Sequence, residues 1–157
     1  MPKRSAGILM YRRAGNELEV LLVHPGGPFW ARKDLGAWSI PKGEYSESED
    51  ALAVAVRELE EETGCRPAGD FVPLGEIVQK GRKVVTAWAA EGDFDVTTLQ
   101  SNEFEMEWPP KSGRKQRFPE VDRAGWFPLG EARRKILESQ AEFIDRLSTV
   151  AGQGGKR

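Results

Sequence analysis

The stretch that decides the fold is GEYSESEDALAVAVRELEEETGC, residues 43 to 65. At about 3.6 residues per helical turn, Glu58, Glu61 and Glu62 share one face, whereas Glu60 points about 160° away from Glu58. A neighbouring, mostly apolar stripe is formed by Leu52, Ala55, Val56, Leu59 and Thr63. The spacing therefore predicts one helix that packs with one face and presents negative charge on the next.

Local signals predict where this helix begins and ends. Ser46 followed by Glu49 fits a capping box, so we expect the helix to start near Glu47. Gly64 fits a glycine that ends a helix in the left-handed conformation.

Two interpretations of the acidic face remain open at this point. Acids near a helix C-terminus and like-charge neighbours together cost on the order of 1 kcal/mol, which a solvated surface tolerates. The same carboxylates would suit a hard divalent cation such as magnesium. Charge spacing alone favours the solvated face.

The complete spacing adds a second observation. Five residues separate Gly43 from Glu49, seven more lead to Arg57 and Glu58, and the stretch continues through Leu59, Glu61, Glu62 and Gly64. This resembles the Nudix box, Gly-x5-Glu-x7-Arg-Glu-U-x-Glu-Glu-x-Gly-U, in which U is a bulky apolar residue. Every fixed letter matches, and only Cys65 at the last apolar position is a soft departure.

The resemblance to Nudix hydrolases implies an α/β fold, an α/β/α sandwich with a mixed central sheet. It also implies hydrolysis of a nucleoside diphosphate linked to another group, with Mg²⁺ as cofactor and Mn²⁺ as an alternative. The metal ligands that it implies are Glu58, Glu61, Glu62 and the carbonyl of Gly43. Arg57 and Glu49 would orient these carboxylates, or form only a surface ion pair.

The family often adds an acidic residue from outside the box. In FPEVDRAGWFPLGEA, Glu120 lies six residues before Trp126, which resembles a segment of dinucleoside polyphosphate hydrolases. Glu120 is preferred over Glu103, Glu105 and Glu107, although a solvated glutamate is an equal alternative. The expected catalytic set is Glu58, Glu61, Arg57 and Glu120.

The substrate can be predicted only from the residues before and after the Nudix box. Residues 38 to 43, WSIPKG, resemble the lead-in of diadenosine tetraphosphate hydrolases, so Trp38 and Lys42 are expected to bind substrate. Arg32 and Lys33 lie in the aromatic and cationic loop PFWARKDLG, which is either a surface loop or part of a nucleotide pocket. The basic loop 109–117 is either solvated or in contact with phosphate.

We therefore predict a hydrolase that prefers dinucleoside polyphosphates. The alternatives are nucleoside triphosphates, ADP-ribose-type sugar nucleotides, capped RNA ends and inositol pyrophosphates. A non-catalytic nucleotide-sensing module is the alternative from another class, and the retained Glu58, Glu61 and Glu62 argue against it.

Composition limits the remaining possibilities. The 157 residues indicate one domain over 1–150, followed by a disordered tail over 151–157. A net charge of −2 favours a small nucleotide over nucleic acid, an RNA 5′ end excepted, and no apolar run is long enough to span a membrane. One cysteine and one histidine exclude an internal disulfide and a zinc-like cluster and favour a reducing compartment, so we expect a cytoplasmic protein. The oligomeric state stays open.

The rest of the chain predicts short strands and one closing helix. Strands are expected over 5–13, 18–24, 71–80, 83–91 and 121–127, with a half-buried strand or lid over 102–108. Gly81 and Arg82 are expected to form a hairpin. A single amphipathic helix is expected from Pro128 to Leu147.

Overall fold

The computed structural model describes residues 3–67 and 69–154. These residues form eight strands and three α-helices. The strands are β1 (Arg4–Ala14), β2 (Glu17–Pro25), β3 (Lys42–Glu44), β4 (Phe71–Gln79), β5 (Lys83–Glu91), β6 (Glu103–Glu107), β7 (Lys115–Pro119) and β8 (Val121–Pro128). The helices are α1 (Ala51–Thr63), α2 (Leu129–Lys135) and α3 (Ala141–Gly154).

The main sheet is mixed, as expected. Its strands run in the order β4-β5-β1-β2-β8, with β3 paired to β1. Strands β1 and β5 are parallel, whereas the other pairs are antiparallel. The apolar strand β2 lies between β1 and β8, in agreement with its apolar residues on both faces.

Helices cover both faces of this sheet. Helix α1 packs Ala55 and Leu59 against Ile8 and Leu21 on one face. On the other face, Phe143 and other apolar residues of α3 pack against the sheet. The predicted α/β/α sandwich is thus confirmed.

The predicted start of α1 near Glu47 is wrong. The helix begins at Ala51, and Asp50 is its N-cap, accepting a bond from the Ala53 amide at 3.0 Å. Ser46 and Glu49 do bond to each other, but they close a turn before the helix. The predicted end is confirmed, because Gly64 adopts φ 83°.

The single closing helix is also wrong. Between α2 and α3 the chain extends at Ile136 and passes through a short 3-10 turn over 138–140. The break follows from tertiary hydrogen bonds, since Trp38 donates to the Lys135 carbonyl and accepts from the Leu137 amide. Helix α3 also enters the predicted tail, where Ala151 is buried, and residues 155–157 lie outside the described part of the chain.

Candidate active site

The last two turns of α1 present the carboxylates to different surroundings. Glu62 is buried, and its Oε2 accepts a bond from the Lys42 amide of β3 at 3.2 Å. The Glu58 side chain is 16% exposed, and Glu61 lies nearer to solvent at 40%. Glu60 points outward and binds Arg66 at 2.9 Å. Glu60 thus points away from Glu58, Glu61 and Glu62, as the helical period predicted.

Glycine at position 43 makes room for Glu58. A Cβ built on Gly43 would lie 2.2 Å from Cδ and 2.3 Å from Oε1 of Glu58. Gly43 pairs with Ala6 in the ladder between β3 and β1, so its backbone is held in the sheet. The Glu58 carboxylate is thus packed directly on the backbone of the residue that opens the motif.

Arg57 lies among three carboxylates. Its guanidinium is 3.5 Å from Glu49, 3.8 Å from Glu58 and 3.8 Å from Glu61. Because Arg57 is half exposed, these pairs contribute little stability. Arg57 nevertheless connects the turn before α1, through Glu49, to the acidic face of the helix.

Burial, together with crowding, raises the pKa of two of these acids. Burial, together with neighbouring Glu58 and Glu120, raises the pKa of Glu62 to about 8. Burial, together with neighbouring Glu61 and Glu120, raises the pKa of Glu58 to about 7. The fold therefore holds these carboxylates together against their mutual repulsion.

A cleft of about 230 Å³ opens beside this cluster. Glu62 and Lys42 line one side, and Glu120 at the start of β8 lines another. Glu120 is fixed there through its backbone, whose N–H bonds the Asn102 carbonyl and whose carbonyl accepts from Gly26. Glu120 therefore lies at the same cleft as Glu62 and Lys42, and its catalytic role stays a prediction.

Lys42 supplies a cation inside the acidic cleft. Burial lowers the pKa of its ammonium group, and neighbouring Glu62 partly opposes that effect. A cation held there can contact an anionic substrate, as expected for this position.

A second, apolar pocket adjoins the cleft. It measures about 400 Å³ and shares Pro25, Trp30 and Glu120 with the cleft. Its remaining lining is mostly apolar: Gly26, Gly27, Phe29, Phe104 and Met106. The alternation of NEFEMEW indicated a half-buried strand, but nothing in the sequence indicated that Phe104 and Met106 would face Phe29 and Trp30.

The loop cations and Trp38 lie elsewhere. Arg32, Lys33 and Trp38 line a separate cavity behind the loop, together with Arg123 and Lys135. Trp38 is only 4% exposed and donates its indole N–H to Asp34 at 2.8 Å. The structure therefore does not bring these three side chains into the lining of the cleft that contains Lys42 and Glu62.

The basic segment 109–117 forms the tip and second strand of a hairpin. Lys115 pairs with Glu105 at 3.9 Å, and Arg117 pairs with Glu103 at 3.2 Å. This segment, expected as one loop, thus ends in strand β7, paired with β6 in a separate two-stranded sheet. Glu103 and Glu105 form ion pairs there and do not line the cleft.

The donor chemistry suits a hard divalent cation. Carboxylate oxygens are the ligands that such a cation prefers, and water and substrate phosphate would supply further oxygens. Within residues 3–67 and 69–154, no group of three or more His, Cys, Asp or Glu side chains is placed so that it could hold a metal ion.

Comparison with known proteins places the chain in a family. Residues 1–147 match the model of the NUDIX domain. The rat bis(5′-nucleosyl)-tetraphosphatase [asymmetrical] is 30% identical over 116 residues, which cover 66% of this chain and 75% of that protein. Arabidopsis thaliana Nudix hydrolase 7 is 29% identical over 113 residues, or 67% of this chain, and the match spans 38% of its length.

Solved structures show the same fold. The NUDIX domain of Shewanella oneidensis NrtR, complexed with ADP ribose, superposes with a TM-score of 0.67 at 18% identity, covering 96% of this chain and 89% of that one. A Caenorhabditis elegans Ap4A hydrolase binary complex gives 0.66 at 20% identity, covering 95% and 98%. No helix in the described part of the chain meets the length and hydropathy needed to cross a membrane. The chain belongs to the NUDIX domain family, that of the Nudix hydrolases.

Proposed function

We propose that the protein is a magnesium-dependent pyrophosphohydrolase that cleaves a nucleoside diphosphate linked to another group. The observation that carries the proposal is that buried Glu62 lines one cleft together with Lys42 and Glu120, while Glu58 lies close enough to Glu62 to raise its pKa. Burying acids that repel each other costs stability, and a divalent cation with an anionic substrate would offset that cost.

In this proposal the acidic residues bind the cation and a basic residue binds the substrate phosphate. Glu58, Glu61 and Glu62, with the carbonyl of Gly43, would hold the cation, and Arg57 would keep the acidic face in place. When bound, Mg²⁺ would neutralise and orient the phosphates and acidify a water molecule, and Mn²⁺ is an alternative. Lys42 would contact a phosphate oxygen.

Hydrolysis also needs a proton acceptor. A water oxygen forms a bond to phosphorus as the bridging P–O bond breaks, and the water gives up a proton. Glu120 and Glu58 are the candidate bases because each is close enough to the cleft cluster to perturb Glu62 electrostatically. A positioned base contributes roughly 10²–10⁴-fold to the rate.

We propose dinucleoside polyphosphates, such as diadenosine tetraphosphate, as the preferred substrates. The rat relative is named as an asymmetrical tetraphosphatase. The aromatic pocket next to the cleft also offers Phe29 and Trp30 to a nucleobase. ADP-ribose is the second candidate, because the Shewanella domain was solved with that ligand. Nucleoside triphosphates complete the set.

A nucleotide panel tests the reaction and the substrate together. The protein is incubated with Mg²⁺ and diadenosine tetraphosphate, ADP-ribose or ATP, and products are resolved by chromatography. We expect diadenosine tetraphosphate to give ATP and AMP at the highest kcat/KM. A preference for ADP-ribose or ATP would refute the substrate proposal alone, whereas binding without turnover of any nucleotide would favour a sensing module.

Variants of α1 test the metal site. Glu61→Gln and Glu62→Gln should each lower kcat by at least about 10²-fold. Glu60→Gln is the matched control, because Glu60 lies on the same helix but pairs with Arg66 away from the cleft. Turnover near the wild-type rate in both test variants would refute the assignment, and so would an equal loss in the control.

A further inference from the structure

A cationic pocket lies at the edge of the main sheet, on strand β8. It measures about 530 Å³, within the range typical of small-molecule sites. The loop residues 31–34 form one wall, α2 contributes Lys135, and β8 forms the floor. Its charged lining comprises four cations and one acid: Arg32, Lys33, Arg123, Lys135 and Asp34. This concentration of positive charge stands out on a chain whose net charge is −2.

In the described part of the chain, two of these four cations lack a close carboxylate. Lys135 is paired, since its ammonium lies 2.6 Å from Asp34. Arg123 reaches Asp122 only at 3.8 Å. Among the residues that the structure describes, no carboxylate lies within 4.0 Å of the side-chain nitrogens of Arg32 or Lys33. The pocket thus retains positive charge that an anion can neutralise.

One face of β8 forms the floor of the pocket. Arg123, Gly125 and Phe127 alternate along β8, so their side chains share one face of the edge strand. The Phe127 ring lies across Gly125, because a Cβ at Gly125 would be 2.8 Å from Cζ of that ring. Arg123 sits over the Trp38 ring at 5.3 Å, and Lys135 lies 5.6 Å from the centre of Phe127. The aromatic rings hold the cations in place without neutralising them.

The pocket is separate from the cleft. Trp30, Ala37 and Ser39 line the cleft, whereas the intervening residues 31–34 and Trp38 line the cationic pocket. The fully buried His24 fixes this partition, with Nε2 at 2.6 Å from the Lys33 carbonyl and Nδ1 at 2.8 Å from Asp122. The loop therefore lies between the acidic cleft and the basic pocket, and the Lys33 ammonium is 5.1 Å from the ring centre of Trp30, which lines the cleft.

We propose that the cationic pocket binds the oligophosphate group of a small anion, at a site distinct from the cleft. The source is either a free oligophosphate or nucleotide, or the remote phosphates of a substrate held in the cleft. Arg32 and Lys33, which have no close carboxylate among the described residues, together with the loosely paired Arg123 can contact several phosphate oxygens at once. The cleft acids, in contrast, repel phosphate when no metal is present. The proposal does not depend on hydrolytic activity.

Binding of inorganic tripolyphosphate to the metal-free protein tests this directly. In EDTA, calorimetry should detect one site, and Arg123→Glu or Lys33→Glu should weaken it by at least about tenfold. The matched control is Arg82→Glu, which makes the same charge change in the hairpin at the opposite edge of the sheet and should leave the affinity unchanged. Absence of binding to the wild type, wild-type affinity in both pocket variants, or an equal loss in the control would overturn the proposal.

Kinetics then distinguish the two sources. If the pocket holds the remote phosphates of a substrate, Arg123→Glu should raise the KM for diadenosine tetraphosphate and leave that for ADP-ribose unchanged. If it holds a free anion, Arg123→Glu should leave both KM values unchanged while the tripolyphosphate affinity still falls.

Discussion

Replacing Gly43 with alanine should inactivate the proposed enzyme without unfolding it. The added Cβ would lie 2.2 Å from Cδ, 2.3 Å from Oε1 and 2.4 Å from Cγ of Glu58. Ordinary contacts between such atoms begin near 3.4 Å, so the Glu58 carboxylate must move by more than 1 Å. A displacement of about 1 Å in a catalytic arrangement can cost about 10²-fold in rate. We therefore expect kcat on diadenosine tetraphosphate to fall by about that factor.

The fold should survive because the added methyl meets the side chain of a partly exposed residue. We expect a thermal midpoint close to that of the wild type. Gly130→Ala is the matched control, since no heavy atom lies within 4 Å of a Cβ built at that position, and it should keep both activity and stability.

A double-mutant cycle isolates the cause. If Gly43→Ala acts by displacing Glu58, it should cost almost nothing further in a Glu58→Gln background, because the two changes disable the same group. Additive losses would refute the displacement mechanism, and wild-type turnover in Gly43→Ala alone would refute the role of Glu58.

Three further predictions concern the same region. In EDTA, the free energy of unfolding of the wild type should fall by on the order of 3 kcal/mol between about pH 5 and about pH 8. The reason is that Glu62 ionises at a much lower pH in the unfolded chain than in the folded protein, where its pKa is about 8. Urea titrations followed by tryptophan fluorescence measure this pH dependence, and Glu62→Gln should flatten it. Phe29→Ala should raise the KM for diadenosine tetraphosphate by about tenfold through lost stacking, whereas Leu35→Ala, equally exposed but outside the pocket, should not. Gln140→Leu should lower the free energy of unfolding by about 1–3 kcal/mol in the same titrations, because it leaves the buried Ile40 amide without its acceptor, and an unchanged value would contradict this role.

The sequence predicted local geometry best where one helix carries it. The directions of Glu58, Glu61, Glu62 and Glu60 depend only on the helical period, and the structure reproduces them. The strands with clear apolar patterns also lie where they were expected, as does the left-handed glycine at position 64. These features need no knowledge of what the chain packs against.

The start of α1 could not be read in the same way. Serine and aspartate are both good N-cap residues, so Asp50 can cap a helix as well as Ser46. The capping-box pattern of Ser46 and Glu49 favoured a start near Glu47. In a helix begun at Glu47, Glu49 and Arg57 would stand about 12 Å apart along the axis. In the structure the turn before the helix brings them to 3.5 Å. The contact with Arg57 lies outside the local pattern that signals a cap.

The two pockets explain why the substrate is harder to infer than the chemistry. The acids of α1 come from five consecutive residues, but the cleft is completed by Trp30 before the box and Glu120 after it. Arg32 and Lys33 line the cationic pocket because of the path that the loop takes, and a hydrogen bond between His24 and the Lys33 carbonyl anchors that path. His24 lies on β2, outside the loop, so the composition of the loop does not reveal this contact. The residue types of the loop alone therefore could not predict which of the two pockets its cations line.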